Sequence, residues 1–206
     1  MLERFRQFWT NVFKPIAHLL MAWGVSPDTV TIVGTGGVVA GALVFFPRGQ
    51  LLIGVLVITT FVFSDLVDGY MARTLGTSSK WGAFLDSTLD RIGDAAIFAG
   101  LAVYLFGQGD DPLVACVALW ALVMGSVTSY TRAKAESLGM QAKGGIAERS
   151  DRLAAVLAMA GLSEILHLPI LLPIVLWAVA VASTVTVVQR MVLVRRQALS
   201  DPNVPG

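Results

Sequence analysis

Four aspartates stand beside the most apolar parts of this chain. Asp65 and Asp68 close an uncharged run that extends from Gly49 to Ser64, and Asp86 and Asp90 lie on the next apolar segment. Residues three or four apart share one face of a helix, so each pair presents two carboxylates in one direction. Four clustered carboxylates repel one another and are costly near lipid, and they would shift to neutral unless cations compensated them. Arg73 and Arg91 are close in sequence, but two arginines cannot neutralise four aspartates. Hard divalent cations are the natural compensation, and Mg²⁺ or Mn²⁺ suits an all-carboxylate set. Gly69 and Arg73 extend the argument: glycine admits close backbone approach, and arginine clamps phosphate oxygens. Metal-assisted phosphoryl chemistry is the leading reading, and the cation pathway of a transporter is the competing one.

The elements that must position these residues follow from composition. The 206 residues are 55% hydrophobic and 14% charged, with a mean hydropathy of +0.72. A soluble domain carries about 25% charged residues, and crossing a bilayer takes roughly 20 mostly apolar ones. The chain therefore reads as an all-α polytopic membrane protein without the short alternating strands of a barrel. An amphipathic surface helix is expected at 1–22, a six-helix transmembrane domain at 23–199 and a short tail at 200–206. In the first segment Leu2, Phe5, Trp9, Val12, Ile16 and Leu20 recur at spacings of three and four between polar residues, the pattern of a helix lying on a membrane. His18 falls on its polar side and reads as an interfacial residue rather than a ligand. The single cysteine, Cys116, excludes an intrachain disulfide.

Span boundaries are marked by local signals. "VSPDTVT" starts a helix, with Ser26 as N-cap and Pro27 at the first helical position. The spans are expected at about 29–47, 50–73, 81–106, 112–136, 150–166 and 170–194. Gly76 stops the second and Gly82 lies near the start of the third. Gly34, Gly37 and Gly41 let the first span pack closely, in the core or in a dimer. Charge sets the orientation. With both termini in the cytoplasm, only Arg48 of the fifteen Lys and Arg lies outside, as the positive-inside rule asks. The expected location is the cell membrane, multi-pass, with the four aspartates at the cytoplasmic ends of spans two and three. No nucleic-acid partner is expected.

The whole pattern reads Asp65-x2-Asp68-Gly69-x2-Ala72-Arg73-x8-Gly82-x3-Asp86-x3-Asp90. It resembles the signature of the CDP-alcohol phosphotransferase family at every fixed position, and the six-span layout extends the resemblance over most of the chain. The resemblance implies that an alcohol hydroxyl attacks the β-phosphorus of a CDP-linked donor and that CMP leaves. It implies two Mg²⁺ ions, with Mn²⁺ as the substitute: Asp65 and Asp86 bridging both, Asp68 on one and Asp90 on the other. Asp90 is then the general base on the attacking hydroxyl. Gly69, Arg73 and Ser79 are implied to hold the cytidine diphosphate, with Asp28, Thr29, Val30 and Thr31 lining the donor site. For Asp28 and Thr31, ordinary helix-start capping is the competing role. Asp94 lies outside the signature and stands three residues after Arg91, a pairing distance.

The acceptor is read from elsewhere. "SYTRAKAESLG" ends span four and "KGGIAERSDRL" leads into span five. With span six they supply a cytoplasmic basic cluster: Arg132, Lys134, Lys143, Arg149, Arg152 and Arg190. Arg152 and Arg190 stand where span ends could face the aspartates, and Thr131 and Lys134 share a face. Such a pocket suits a phosphorylated acceptor; headgroup snorkelling is the bland alternative. The two stretches resemble those of actinobacterial family members that join CDP-diacylglycerol to 1D-myo-inositol 3-phosphate, giving phosphatidylinositol phosphate and CMP. Glycerol 3-phosphate, the acceptor of phosphatidylglycerophosphate synthases, is the main alternative, and free inositol is a third. The glycine-rich spans and the resemblance point to a homodimer.

Overall fold

The computed structural model describes residues 13–77, 79–146 and 148–200. Among them there is no strand; the chain runs from helix to helix. Residues 13–22 form α1. There follow α2 (Pro27–Ala40), a π-helical turn (Gly41–Phe45) and a 3-10 turn (Phe46–Arg48), then α3 (Leu51–Val62), α4 (Ser64–Thr74), α5 (Lys80–Phe106), α6 (Pro112–Ser137), α7 (Arg149–Ile165) and α8 (Leu171–Ser200). Helices occupy all six positions where the sequence places a span. Among the described residues, four stretches are long and apolar enough to cross a membrane: Pro27–Arg48, Leu51–Thr74, Pro112–Ser137 and Leu171–Ser200. The first half of α5 carries Lys80, Asp86, Asp90, Arg91 and Asp94, and α7 has 17 residues, about 26 Å at 1.5 Å per residue. Residues 1–12 and 201–206, most of the expected surface helix and tail, lie outside the described residues.

The helix ends obey local chemistry. Ser26 caps α2, accepting from the Thr29 N–H at 3.2 Å, with Pro27 at the first position where no N–H is missed. Asp111 caps α6 in the same way, accepting from the Val114 N–H at 3.0 Å, ahead of Pro112. At the end of α4, Gly76 takes φ +64°. The Gly76 N–H then donates to the Arg73 carbonyl at 3.4 Å and the Thr77 N–H to the Ala72 carbonyl at 3.0 Å, a Schellman stop that only glycine enters without strain.

The chain folds as two compact units. One takes the residues up to Phe45 with Ile53–Ile97; the other takes Phe46–Leu52 with the chain from Phe98 onward. In the first unit α2 packs on α4. Ala17 of α1 joins Val67 and Met71 of α4 in a small core, closed by Phe13, Leu20, Met21, Val30 and Tyr70. His18 Nε2 lies 3.2 Å from the Tyr70 hydroxyl. In the second unit α6 and α7 both pack on α8. Large apolar side chains such as Trp23, Leu113, Ile174 and Met191 remain exposed, as on helices whose solvent is lipid.

The second span differs from expectation in being two helices. The break falls at Phe63, where the Leu66 N–H donates to the Phe63 carbonyl at 3.1 Å, a tightened turn. The glycines of α2 meet the chain at this point. A Cβ on Gly34 would stand 1.8 Å from Ser64 Oγ, and one on Gly37 would stand 2.2 Å from the Phe61 ring. A Cβ on Gly41 would be 3.0 Å from Ile58. The stripe of small residues is thus used for packing within the chain. Gly36, off the stripe, faces open space. Gly37→Ala is expected to destabilise the detergent-solubilised protein by about 1–3 kcal/mol through overpacking, while Gly36→Ala, with nothing for its Cβ to meet, leaves it as stable or raises its stability by up to about 1 kcal/mol. Thermal unfolding of the two variants checks this, and equal midpoints would refute the packing account.

Candidate active site

Two helix beginnings and one helix bound a cavity of about 530 Å³ in the first unit. The first turns of α2 and α5 contribute Ser26, Pro27, Asp28, Thr31, Ser79, Gly82, Ala83 and Asp86; α4 and its stop contribute Asp65, Asp68, Gly69, Ala72, Arg73 and Thr77. Every fixed position of the aspartate pattern except Asp90 therefore lines one space. The break at Phe63 matters here, because it starts a new helix one residue before Asp65 and sets the azimuth of α4 independently of the apolar α3.

Each lining group is held by its own neighbours. Asp68 is buried, and the Thr31 hydroxyl lies 2.6 Å from its Oδ2 and 3.1 Å from the Pro27 carbonyl. One hydroxyl proton serves one acceptor at a time, so Thr31 can release or engage the carboxylate without leaving its helix. Asp28 Oδ2 accepts from the Trp81 indole N–H at 3.0 Å, which ties the start of α2 to the start of α5. Ser79 caps α5: its Oγ accepts from the Gly82 N–H at 3.0 Å. The Arg73 guanidinium lies over Gly69, where a Cβ would approach Nη1 to 3.4 Å. Arg73 is exposed and enters no salt bridge among the described residues.

The sequence-derived site is partly assembled and partly not. Asp65, Asp68 and Asp86 face one cavity. Asp90, one turn beyond Asp86 on α5, lies outside the lining, with Oδ2 3.6 Å from Arg91 Nη2. Arg91 also reaches Asp94, Nε to Oδ2 at 3.8 Å, the pairing its spacing implied. Of the four residues 28–31, Asp28 and Thr31 line the cavity; Thr29 and Val30 do not. Three residues apart puts 28 and 31 on one face, while Thr29 Oγ1 turns to Ser26 Oγ at 2.9 Å and Val30 packs against the α1–α4 core. Ser79 lines the cavity and also caps α5, a role the sequence reading did not give it, while α2 is capped by Ser26 rather than by Asp28 or Thr31. Thr77 and Trp81 escaped the sequence reading. Thr77 follows the Schellman glycine, a signal that places it at the helix end; nothing in the sequence pairs Trp81 with Asp28 across 53 positions.

A divalent cation fits the donor set, which is oxygen-only and gathers three carboxylates on one cavity with a hydroxyl beside one of them. Among the described residues no three His, Cys, Asp or Glu side chains converge to metal-ligating distance; the carboxylates stand around the space rather than closed on a point.

The basic residues belong to the second unit. Arg152 and Arg190 are buried, and each is anchored on a carbonyl of α6. Arg152 Nη2 lies 3.5 Å from the Gly125 carbonyl. Arg190 Nη1 donates to the Thr128 carbonyl and Nε to the Gly144 carbonyl at 3.0 Å. Arg190 and Lys143 share a cavity of about 340 Å³ with Gly144, Gly145, Ile146, Gln189 and Leu193. Thr131, Lys134, Arg132, Arg149 and Arg152 do not line it. Thr131 donates to the Thr128 carbonyl at 2.9 Å. Arg132 pairs with Glu136 at 2.9 Å along the surface of α6, Lys134 is exposed and Arg149 opens α7 half-buried.

Carboxylates from α2, α4 and α5 thus share one cavity with a glycine and an arginine of α4, on helices with apolar exposed faces. The match is specific: residues 24–187 fit the CDP-alcohol phosphatidyltransferase family, and the chain belongs to that family. It is 53% identical over 205 residues to the phosphatidylinositol phosphate synthase of Streptomyces avermitilis, covering 96% of this chain and 84% of that one. The phosphatidylinositol phosphate synthase of Mycobacterium tuberculosis with CDP-DAG bound superposes with a TM-score of 0.87 at 40% identity, covering 95% and 98% of the two chains. The same mycobacterial protein in complex with manganese and citrate gives 0.86 at 41% identity, covering 93% and 91%.

The Thr31–Asp68 contact makes a direct prediction. Thr31→Val removes a hydrogen bond to a charged group, about 1.5–3 kcal/mol, and is expected to lower kcat/KM at least tenfold with the fold intact. Thr31→Ser should restore most of it. Steady-state kinetics with circular dichroism checks both; full activity in Thr31→Val would show the contact to be idle.

Proposed function

We propose that this chain makes phosphatidylinositol phosphate, transferring the phosphatidyl group of CDP-diacylglycerol to a hydroxyl of 1D-myo-inositol 3-phosphate. The observation that carries this reading is the collection of the signature residues around one cavity in a chain so similar to phosphatidylinositol phosphate synthases. The donor's diphosphate is negatively charged, and the starts of α2 and α5 both line the space with the positive ends of their helix dipoles. Gly69 leaves room for the diphosphate to approach the backbone of α4, and Arg73 offers its fork of N–H donors to the phosphate oxygens. Asp28 accepts hydrogen bonds from the donor's nucleoside, and Ser79 holds the α5 terminus in place.

Asp65, Asp68, Asp86 and Asp90 would hold two divalent cations, Mg²⁺ with Mn²⁺ able to replace it. When bound, the cations polarise the phosphoryl oxygens and neutralise the leaving phosphate. Asp90 receives the proton of the acceptor hydroxyl. The hydroxyl oxygen bonds to the β-phosphorus, the bond from that phosphorus to the bridging oxygen breaks, and CMP leaves with the bridging oxygen. Arg190, Arg152, Lys134 and Thr131 serve the acceptor's phosphate, with Arg132 and Arg149 in support. The buried guanidiniums of Arg152 and Arg190, each held in place on a carbonyl of α6, support this role.

The membrane reading completes the proposal. With α5 and α7 as the two further crossings, the chain spans six times, both termini face the cytoplasm and Arg48 is the one Lys or Arg outside. The site then opens on the cytoplasmic surface, where a lipid-tailed nucleotide and a water-soluble alcohol meet. α1, residues 13–22, would lie at the membrane surface. The homodimer rests on family resemblance, because Gly34, Gly37 and Gly41 are taken up within the chain.

The experiment is CMP release by purified protein with CDP-diacylglycerol and Mg²⁺, offering inositol 3-phosphate and glycerol 3-phosphate separately. Release with inositol phosphate alone is expected. Release with glycerol phosphate alone would keep the family and overturn the acceptor; ion flux through liposomes without CMP release would favour a transporter. Asp90→Asn is expected to lower kcat by about 10²–10⁴, the scale of general base catalysis, with donor KM within a few-fold. Equal loss of binding and turnover would remove Asp90 from the base role.

A further inference from the structure

Thr186, Arg190, Leu193 and Gln197 recur along α8 at spacings of four, three and four, so they form one stripe of that helix. The loop 139–146 between α6 and α7 lies along this stripe and is tied to it at three places. At the far end, the Gln197 amide pairs both ways with one loop residue. The Gln141 N–H donates to Oε1 at 2.9 Å, and Nε2 donates to the Gln141 carbonyl at 2.6 Å. In the middle, Arg190 Nε donates to the Gly144 carbonyl at 3.0 Å. At the near end, Gly145 comes so close to Thr186 that a Cβ there would stand 2.3 Å from Cγ2. The loop's path requires glycine: Gly139, Gly144 and Gly145 take φ of +75°, +101° and +127°, where other residues are strained.

Lys143 sits between these ties. It lines the cavity of about 340 Å³ that it shares with Arg190 and Gln189, and a neighbouring one of about 370 Å³ with Gln141 and Gln197. A side-chain amide that satisfies both backbone groups of one residue fixes that residue's position and orientation, as a strand partner would. Gln141 is two residues before Lys143, so the pair limits where the lysine can reach. Arg190 is fixed too, with Nε and Nη1 engaged by the Gly144 and Thr128 carbonyls and further N–H groups of its fork left for a ligand.

We propose that Gln197 is a positioning residue for the anionic acceptor: it straps the loop 139–146 to α8 and so holds Lys143 beside Arg190, where the two cations meet a soluble phosphate ester. Gln197 touches no reacting atom; it acts through the loop. The inference deepens the acceptor reading above and rests on it.

The test uses the full-length enzyme in nanodiscs, with Gln197→Ala and, separately, Gly145→Ala. CMP release is measured with inositol 3-phosphate varied at saturating CDP-diacylglycerol, then with the donor varied. Amide hydrogen exchange of 139–146 is followed in parallel. In both variants the acceptor KM is expected to rise about tenfold, with kcat and donor KM within about twofold, and exchange in the loop to quicken. Unchanged exchange would overturn the strap. Faster exchange with an unchanged acceptor KM, or with equal changes in both KM values, would overturn the positioning role. If the wild type uses glycerol 3-phosphate instead, the acceptor reading has failed and the same KM split with that acceptor decides the strap.

Discussion

The close approach of α2 to the junction of α3 and α4 is the contact on which the aspartate-lined cavity depends. Gly34 and Gly37 carry no side chain, and Ser64 and Phe61 occupy the space where one would be. In lipid no hydrophobic gain drives one apolar helix onto another, so packing and hydrogen bonds must do it. The glycine stripe allows α2 near enough for the Thr31 hydroxyl to reach Asp68. It also meets the chain at the point where the long apolar segment breaks and α4 begins. A single unbroken helix would tie the azimuth of Asp65 and Asp68 to that of α3; the break lets α4 turn its polar face to the cavity.

Two kinds of charge are stabilised by different means. The carboxylates of the first unit are kept at the cavity edge, two of them exposed, with Asp68 buried but hydrogen-bonded. The buried arginines of the second unit rest instead on backbone carbonyls of α6, at Gly125 and Thr128, one helical turn apart. A helical carbonyl keeps a second lone pair after its own ladder bond, so α6 can anchor both guanidiniums without breaking. The arginines are thereby oriented by the backbone of α6.

Much of this was legible in the sequence because it depends on neighbours within a few positions. Ser26, Pro27, Gly76 and the span boundaries were readable from capping chemistry and hydropathy, and the structure has them within a few residues of where they were expected. The aspartate pattern was readable in part: i, i+3 spacing puts Asp65 and Asp68 on one cavity, while Asp90, four residues after Asp86, lies outside its lining. The same periodicity could have excluded Thr29 and Val30 from the cavity, for a helix cannot present four consecutive residues to one side.

What the sequence by itself determined is therefore the helices, their faces and the chemistry of the signature. What only the tertiary structure decided is which faces meet. The break at Phe63 falls where Gly34 and Gly37 of α2 press against Ser64 and Phe61. Trp81 bonds Asp28 across 53 positions, and Gln197 bonds Gln141 across 56. Asp90 lies beside Arg91 rather than on the cavity lining. Such pairings depend on how helices pack, and close packing is set by the shapes of all the side chains at once, whereas capping and periodicity are set by a few residues along one strand of chain.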